Sequence, residues 1–325
     1  MPARILPGRT GPAAREPERP EAKPAKAPTV PEAPQGWAPK PRTGRAPAKL
    51  RVDAVGPYRP VSEADTDGAL IGVGKSVFGG ATPLSSVPAV RPRLEKKGAA
   101  PVLFVNGIRT SLTRQADALE DIADALELPV VGLHNATAGA AGDVLQTLQD
   151  KINGLASDLV SHSITFDTAM FALHLEPVVA WLGTTDLSGN LAVASLKKVI
   201  HDQLAAGQPV HLVCHSQGAL ITARAIVEAR AQLEAELSPV EVVKAIRTIR
   251  VESLGGVATT WPDGPQYVHY VNEMDLVTRA GLRQPTHVRP GVGARIVRFS
   301  DDGKGVTSSY PPHSPLTYLR HRVAD

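Results

Sequence analysis

From Pro101 onward, short unbroken apolar runs alternate with stretches of helical periodicity, and this alternation constrains the chain more than any other feature. Val102-Leu103-Phe104-Val105 runs into Asn106-Gly107 and has the character of a strand buried on both faces. A helix is expected next, capped by Thr110 or Ser111, with Leu112, Ala116, Leu119, Ile122 and Leu126 at helical spacing. Pro129 to Leu133 predicts a second strand. Val210-His211-Leu212-Val213-Cys214 predicts a third, entering a long helix that carries Leu220, Ala223 and Val227. Ile249 to Leu254 is a fourth, but Arg250 and Glu252 alternate with its apolar positions, which suggests an edge strand or one that ends early. Tyr267 to Val271 and Ala294 to Phe299 follow, and a short helix from about Pro315 ends the pattern. Strands alternating with helices predict an α/β fold with a mostly parallel central sheet flanked by helices. In such sheets, sites form beyond the carboxyl ends of the strands.

Composition divides the chain unevenly. Met1 to Pro60 holds 14 of the 29 prolines and 12 Lys and Arg against 5 Asp and Glu, so it carries +7 of a total of +3 and the remainder carries −4. No apolar run there is long enough to offset the entropy of ordering, so residues 1–60 are expected to form a disordered, basic, Pro/Ala-rich tail. A solvated leader is the simpler reading of this tail; contact with an acidic partner, a membrane surface or a secretion apparatus is the functional one. Residues 61–97 are expected to be a transition segment, and 98–325 the catalytic domain. The overall charge gives no reason to expect nucleic-acid binding, and the single cysteine excludes an intramolecular disulfide framework. No window has the roughly 18 apolar residues of a spanning helix, and no apolar leader region is visible, so a cytoplasmic location or export without a signal peptide is expected. Gly72-Val73-Gly74-Lys75-Ser76 imitates the end of a phosphate-binding loop, but the first glycine would fall at Ala69, and no apolar strand leads in.

Cys214-His215-Ser216-Gln217-Gly218 carries the chemistry, because it lies between an expected buried strand and an expected helix. A serine there sits on a tight turn that lifts its hydroxyl above the sheet and requires small neighbours. Gly218 meets that demand, whereas Cys214 stands where a glycine is more usual. The stretch resembles the nucleophile elbow of lipase-like α/β-hydrolases, and the resemblance spans about Pro101 to Arg322. It implies a triad ordered serine, acid, histidine along the chain. On that order Ser216 is the nucleophile. Asp275, just past the Tyr267–Val271 strand, is the acid, and His313, after the Ala294–Phe299 strand, is the base. The backbone N–H of Gln217 would form one half of the oxyanion hole, and Gly107 with Ile108, after the first strand, the other. Asn106 and His134 are candidates for lining the substrate site.

Asp263 is the alternative acid, since it follows the preceding strand. His215 should point away across the turn and pack. His269 lies within a strand, and His287 precedes the last strand, out of order. The histidines lack the short spacings of a zinc site, and no cofactor is expected. About 75 residues separate the second and third strands, more than one crossover helix needs. They include Met170, Phe171, Leu173, Leu175, Val178, Val179, Trp181 and Leu182, so residues 161–206 are either an apolar lid or core. The expected function is a serine hydrolase cleaving carboxylic esters, of lipid or acyl type, with transient membrane-surface contact as an option. Two other readings stand: an acyltransferase on the same scaffold, and a non-catalytic binding protein of hydrolase fold, each compatible with a signal-less exported effector. Oligomeric state cannot be read from the sequence.

Overall fold

The computed structural model describes residues 66–94, 99–107, 110–136, 189–275, 289–308 and 311–323. The tail at 1–60, Ile108, His287 and the apolar residues of 170–182 lie outside them.

Eight strands form one mixed, mostly parallel sheet: β1 (Leu70–Ile71), β2 (Val77–Phe78), β3 (Val102–Val105), β4 (Val130–Leu133), β5 (Val210–His215), β6 (Ile249–Leu254), β7 (Gln266–Asn272) and β8 (Arg295–Phe299). Their order is β2-β1-β4-β3-β5-β6-β7-β8, with antiparallel pairing only at β1–β2 and β1–β4. From β3 the chain steps outward one way to β4 and then the other way to β5, so a topological switch point lies between β3 and β5. Helices cover both faces. On one, α2 (Leu191–Ala205), α3 (Gly218–Glu236) and α4 (Pro239–Ile246) bury Leu196, Ile200, Ile221, Ile226, Leu233 and Ile246 against the sheet. On the other, α1 (Leu112–Leu126) and the terminal α5 (Pro315–Leu319) bury Leu119, Ile122, Leu126 and Tyr318. That double covering explains why β3, β4 and β5 read as continuous apolar runs.

The helix ends follow local chemistry. Ser111, not Thr110, caps α1, its hydroxyl accepting from Arg114 N–H at 3.2 Å. Gly189, at φ +80°, leads to Asn190, whose side chain accepts from Val193 N–H at 2.9 Å and starts α2. Because α2 packs on the sheet, the part of 161–206 that it occupies is core.

Two expectations are corrected. The segment 61–97 is more than a transition: it supplies β1 and β2, and Ala69, Leu70, Ile71, Val77 and Phe78 are buried. Strands of two residues are too short for any periodicity to register. Gly72 to Ser76 makes the hairpin between them, closed by Gly72 N–H to Ser76 O at 2.8 Å. The fourth strand is neither an edge nor shortened, since β6 pairs along its length with β5 and β7. It tolerates Glu252 because that wholly buried carboxylate is met by two arginines and an imidazole. Arg322 reaches it with Nε and Nη2 at 2.8 and 2.9 Å, His211 Nε2 at 2.9 Å and Arg250 Nη2 at 3.0 Å. Among the described residues, no helix is long and apolar enough to cross a membrane.

Candidate active site

Strand β5 ends at His215, and the next residue reverses the backbone. Ser216 adopts φ +53°, a left-handed conformation that costs a residue with a side chain about 1–3 kcal/mol. Surrounding bonds hold it there. Ser216 N–H donates to Leu254 O at 3.2 Å, and Ser216 O accepts from Ala219 N–H at 3.1 Å and Val257 N–H at 3.2 Å. Gln217 then turns into α3. Gly218 has to be glycine, because a Cβ there would stand 2.5 Å from Val105 O and 2.8 Å from Asn106 O. Cys214, the departure from the usual glycine, is wholly buried. Burial pushes its thiol up to about 12, which leaves it an inert packing residue.

Two loops at the carboxyl ends of β7 and β8 bring Asp275 and His313 together. His313 Nδ1–H donates to Asp275 Oδ2 at 2.6 Å, and both side chains are buried. With its proton on Nδ1, a neutral imidazole presents a lone pair at Nε2. His313 Nε2 is itself buried and makes no hydrogen bond among the described residues. Asn272, the last residue of β7, fastens the two loops to each other. Its Nδ2 donates to Pro312 O at 2.9 Å and Asp301 O at 2.7 Å, while its Oδ1 accepts from Met274 N–H at 3.1 Å and Asp301 N–H at 3.0 Å. The phenol of Tyr318 donates to the same Asp275 oxygen as His313 does. His215 packs, as its position suggests, but against a specific partner: its Nε2–H donates to His313 O at 2.6 Å.

The other candidates are turned elsewhere. Asp263 Oδ1 accepts from Val292 N–H at 3.0 Å, so it holds the turn before β8 and is not brought to His313. His269 donates through Nε2 to Pro290 O at 2.9 Å and stacks on Tyr267 with centroids 5.6 Å apart.

Above the serine, the chain leaving β3 passes so close that a Cβ on Gly107 would lie 2.8 Å from Ser216 Cβ and 3.0 Å from His215 Nδ1. Glycine is therefore required there by contact with the serine itself. Asn106 secures this passage: Oδ1 accepts from Asn135 N–H at 2.7 Å, and Nδ2 donates to Asn135 O at 3.1 Å and Gly107 O at 2.8 Å. Asn135 Nδ2 in turn donates to Gln217 Oε1 at 2.8 Å. A chain of amides thus joins the ends of β3, β4 and β5, and the main-chain N–H of Gln217 donates to no acceptor among the described residues. Asn106 therefore ties the loop after β3 to the loop after β4. His134 is likewise buried and inward-facing. Gln115 Nε2 donates to Leu133 O at 3.1 Å, which directs its Oε1 to accept from His134 Nδ1–H at 2.6 Å.

Asn135, Asn272 and Tyr318 carry no signal in the sequence, since each reaches a residue 40 or more positions away through a common side-chain type. Among the described residues, no group of three or more His, Cys, Asp or Glu is arranged to hold a metal ion. No family model, curated protein or solved structure matches this chain. The case for a function therefore rests on the arrangement itself: a strained serine, a buried imidazole–carboxylate pair and a close glycine loop on one edge of a parallel sheet.

Proposed function

We propose that this chain is a serine hydrolase of α/β-hydrolase type that cleaves carboxylic esters of acyl or lipid class. One observation carries the reading. Ser216 is held at φ +53° at the carboxyl end of β5, on the sheet edge where His313 Nδ1–H is bound to Asp275 at 2.6 Å. Strain at a serine between a parallel strand and a helix lifts the hydroxyl out of the sheet and has little use in packing.

In this reading, Ser216 Oγ attacks the ester carbonyl while His313 Nε2 accepts the hydroxyl proton. Asp275 keeps the second imidazole proton on Nδ1 and stabilises the imidazolium that forms. The N–H of Gln217 and a donor from the Gly107 loop meet the developing oxyanion. His313 then returns its proton to the departing alkoxide, leaving an acyl-serine. Water, deprotonated by His313, releases the acid and restores Ser216. No step requires a metal or a cofactor.

Labelling with a fluorophosphonate, followed by peptide mapping, tests the proposal, alongside hydrolysis of p-nitrophenyl esters of increasing chain length. A stoichiometric adduct on Ser216 is expected. It should be absent in Ser216→Ala and slowed by about a thousandfold or more in His313→Ala. A folded protein that neither takes the adduct nor turns over the shortest ester would overturn the reading.

A further inference from the structure

We infer that Tyr318 is a positioning residue of this site, which shares the Asp275 carboxylate with His313 and so weakens the negative charge that the imidazole meets. The inference rests on the serine-hydrolase reading for its consequence in catalysis, though not for its effect on His313 itself.

The geometry is specific. Tyr318 is fully buried in α5, and its O–H donates to Asp275 Oδ2, the very oxygen that accepts from His313 Nδ1–H. One carboxylate oxygen has lone pairs for both donors. Each donor nevertheless draws negative charge toward itself and weakens what the other receives. A phenol on this oxygen therefore reduces the field that Asp275 exerts on an imidazolium. Sharing one oxygen rather than taking one each also fixes the carboxylate's rotation, because both donors must converge on a single point.

The fold makes room for this phenol. Gly255, immediately after β6, adopts φ +55°, and a Cβ there would stand 2.7 Å from the Tyr318 oxygen. Any larger residue would displace the hydroxyl. The ring is located by Phe299, edge-on at 5.4 Å, and by His215 at 6.4 Å. The start of α5 is tied to the His313 turn by Thr317 Oγ1 donating to Pro311 O at 2.7 Å. Phenol and imidazole are thereby mounted on one rigid segment, Pro311 to Leu319.

Three titratable groups among the described residues bear on His313. Asp275 binds its Nδ1, His215 lies with its ring centroid 4.6 Å away, and Tyr318 acts through the carboxylate. His215 is kept neutral by burial and by its neighbour His313, so it adds no charge of its own. The hydroxyl of Tyr318 is thus the group whose removal changes the charge felt by the imidazole without removing either charged partner.

The test is Tyr318→Phe in the full chain, with the His313 Cε1–H resonance followed by NMR as pH is varied. The ring and its packing remain, and only the O–H is lost. The His313 titration curve is expected to move to higher pH, because Asp275 Oδ2 then serves the imidazole alone. The pH profile of fluorophosphonate labelling should move in the same direction, with its plateau about three- to tenfold lower. Gly255→Ala, which pushes the phenol away and leaves Tyr318 in place, should raise the midpoint as well. An unchanged titration in Tyr318→Phe overturns the inference even where Ser216 labels normally. Failure of Ser216 to label in the wild type, with the His313 midpoint still rising in the variant, would overturn the hydrolase reading and leave this one standing.

Discussion

The rings of His215 and His313 lie 4.6 Å apart at a tilt of 44°, and the Nε2–H of His215 is bonded at 2.6 Å to the main-chain oxygen of His313. A carbonyl only accepts, so His215 is fixed as its Nε2–H tautomer. The residue preceding Ser216 therefore supports the backbone of His313, the base of the proposed mechanism. Burial, reinforced by the neighbouring His313, holds the His215 imidazole well below its ordinary value of 6.5. In the unfolded chain it takes up a proton as pH falls through about 6.5, while in the fold it does not. Its contribution to stability is accordingly complete above that pH and lost as pH falls toward the depressed folded value. His215→Gln keeps a donor for the carbonyl and removes the titration. The loss of stability between pH 7.5 and 5.5, read from denaturant midpoints, should be smaller in this variant; an equal loss would assign the effect to other groups.

The amide of Asn135 joins β4 to the elbow by donating to Gln217 Oε1 at 2.8 Å, while its main chain is bonded to Asn106. Asn135→Ala deletes the first link and leaves the second. Gln217 would then lose the partner that fixes its side chain, and the N–H that the proposed mechanism assigns to the oxyanion would be less well ordered. On the proposed function, fluorophosphonate labelling of Ser216 should slow by about tenfold, with thermal stability changed by about 1 kcal/mol or less. Wild-type labelling kinetics in this variant would mean that the turn alone positions Gln217.

What could be read from the sequence follows from where each residue finds its partners. Strands β3 and β4 are legible because burial between two helical layers leaves continuous apolar runs, and β5 and β7 because apolar residues still dominate them. The strand–serine–glycine sequence at the elbow is legible because the turn restricts its own neighbours, as the 2.5 Å clearance at Gly218 makes plain. Asp275 and His313 could be picked out by chain order and position after a strand. By contrast, β1 and β2 are too short for a pattern, and Glu252 looks misplaced until Arg322 arrives from 70 residues away. Asn135, Asn272 and Tyr318 are invisible for the same reason. Each acts on a partner that only the folded chain brings near.

That distant pairing has a measurable consequence. Glu252 is fully buried on an inner strand, where burial alone would raise its carboxyl; the hydrogen bonds from His211 and Arg322 outweigh this and hold it well below the usual range. Arg322→Met removes the two-point clasp and leaves a carboxylate without its main counter-charge. The expected loss is about 3–5 kcal/mol of unfolding free energy. Glu252→Gln combined with Arg322→Met should be markedly less destabilised than the sum of the single variants, because the stranded charge is gone. Strict additivity in denaturant titrations would show that the pair is not coupled.

Asp67 gives a pH dependence of the opposite sign. Its carboxyl is buried beside the end of β4 and the start of α2, where it accepts from Ala136 N–H at 3.0 Å and from the main-chain N–H groups of Leu191 and Ala192. Burial pushes its pKa up to about 6, against an ordinary 3.8, although those three donors oppose the rise. A carboxyl with a raised folded value favours the fold most below the unfolded value. That advantage is lost as pH climbs through 6, and amounts to roughly 2–3 kcal/mol across the window. Asp67→Asn is neutral at every pH and keeps an acceptor oxygen for one or two of the donors. The variant should therefore gain on the wild type as pH rises from 4 to 6.5, with the difference level above that. Thermal melts of both proteins across this range read the effect directly. A difference that stays flat from pH 4 to 7 would mean that Asp67 is already ionised in the fold at the acid end, and that its three N–H partners outweigh its burial.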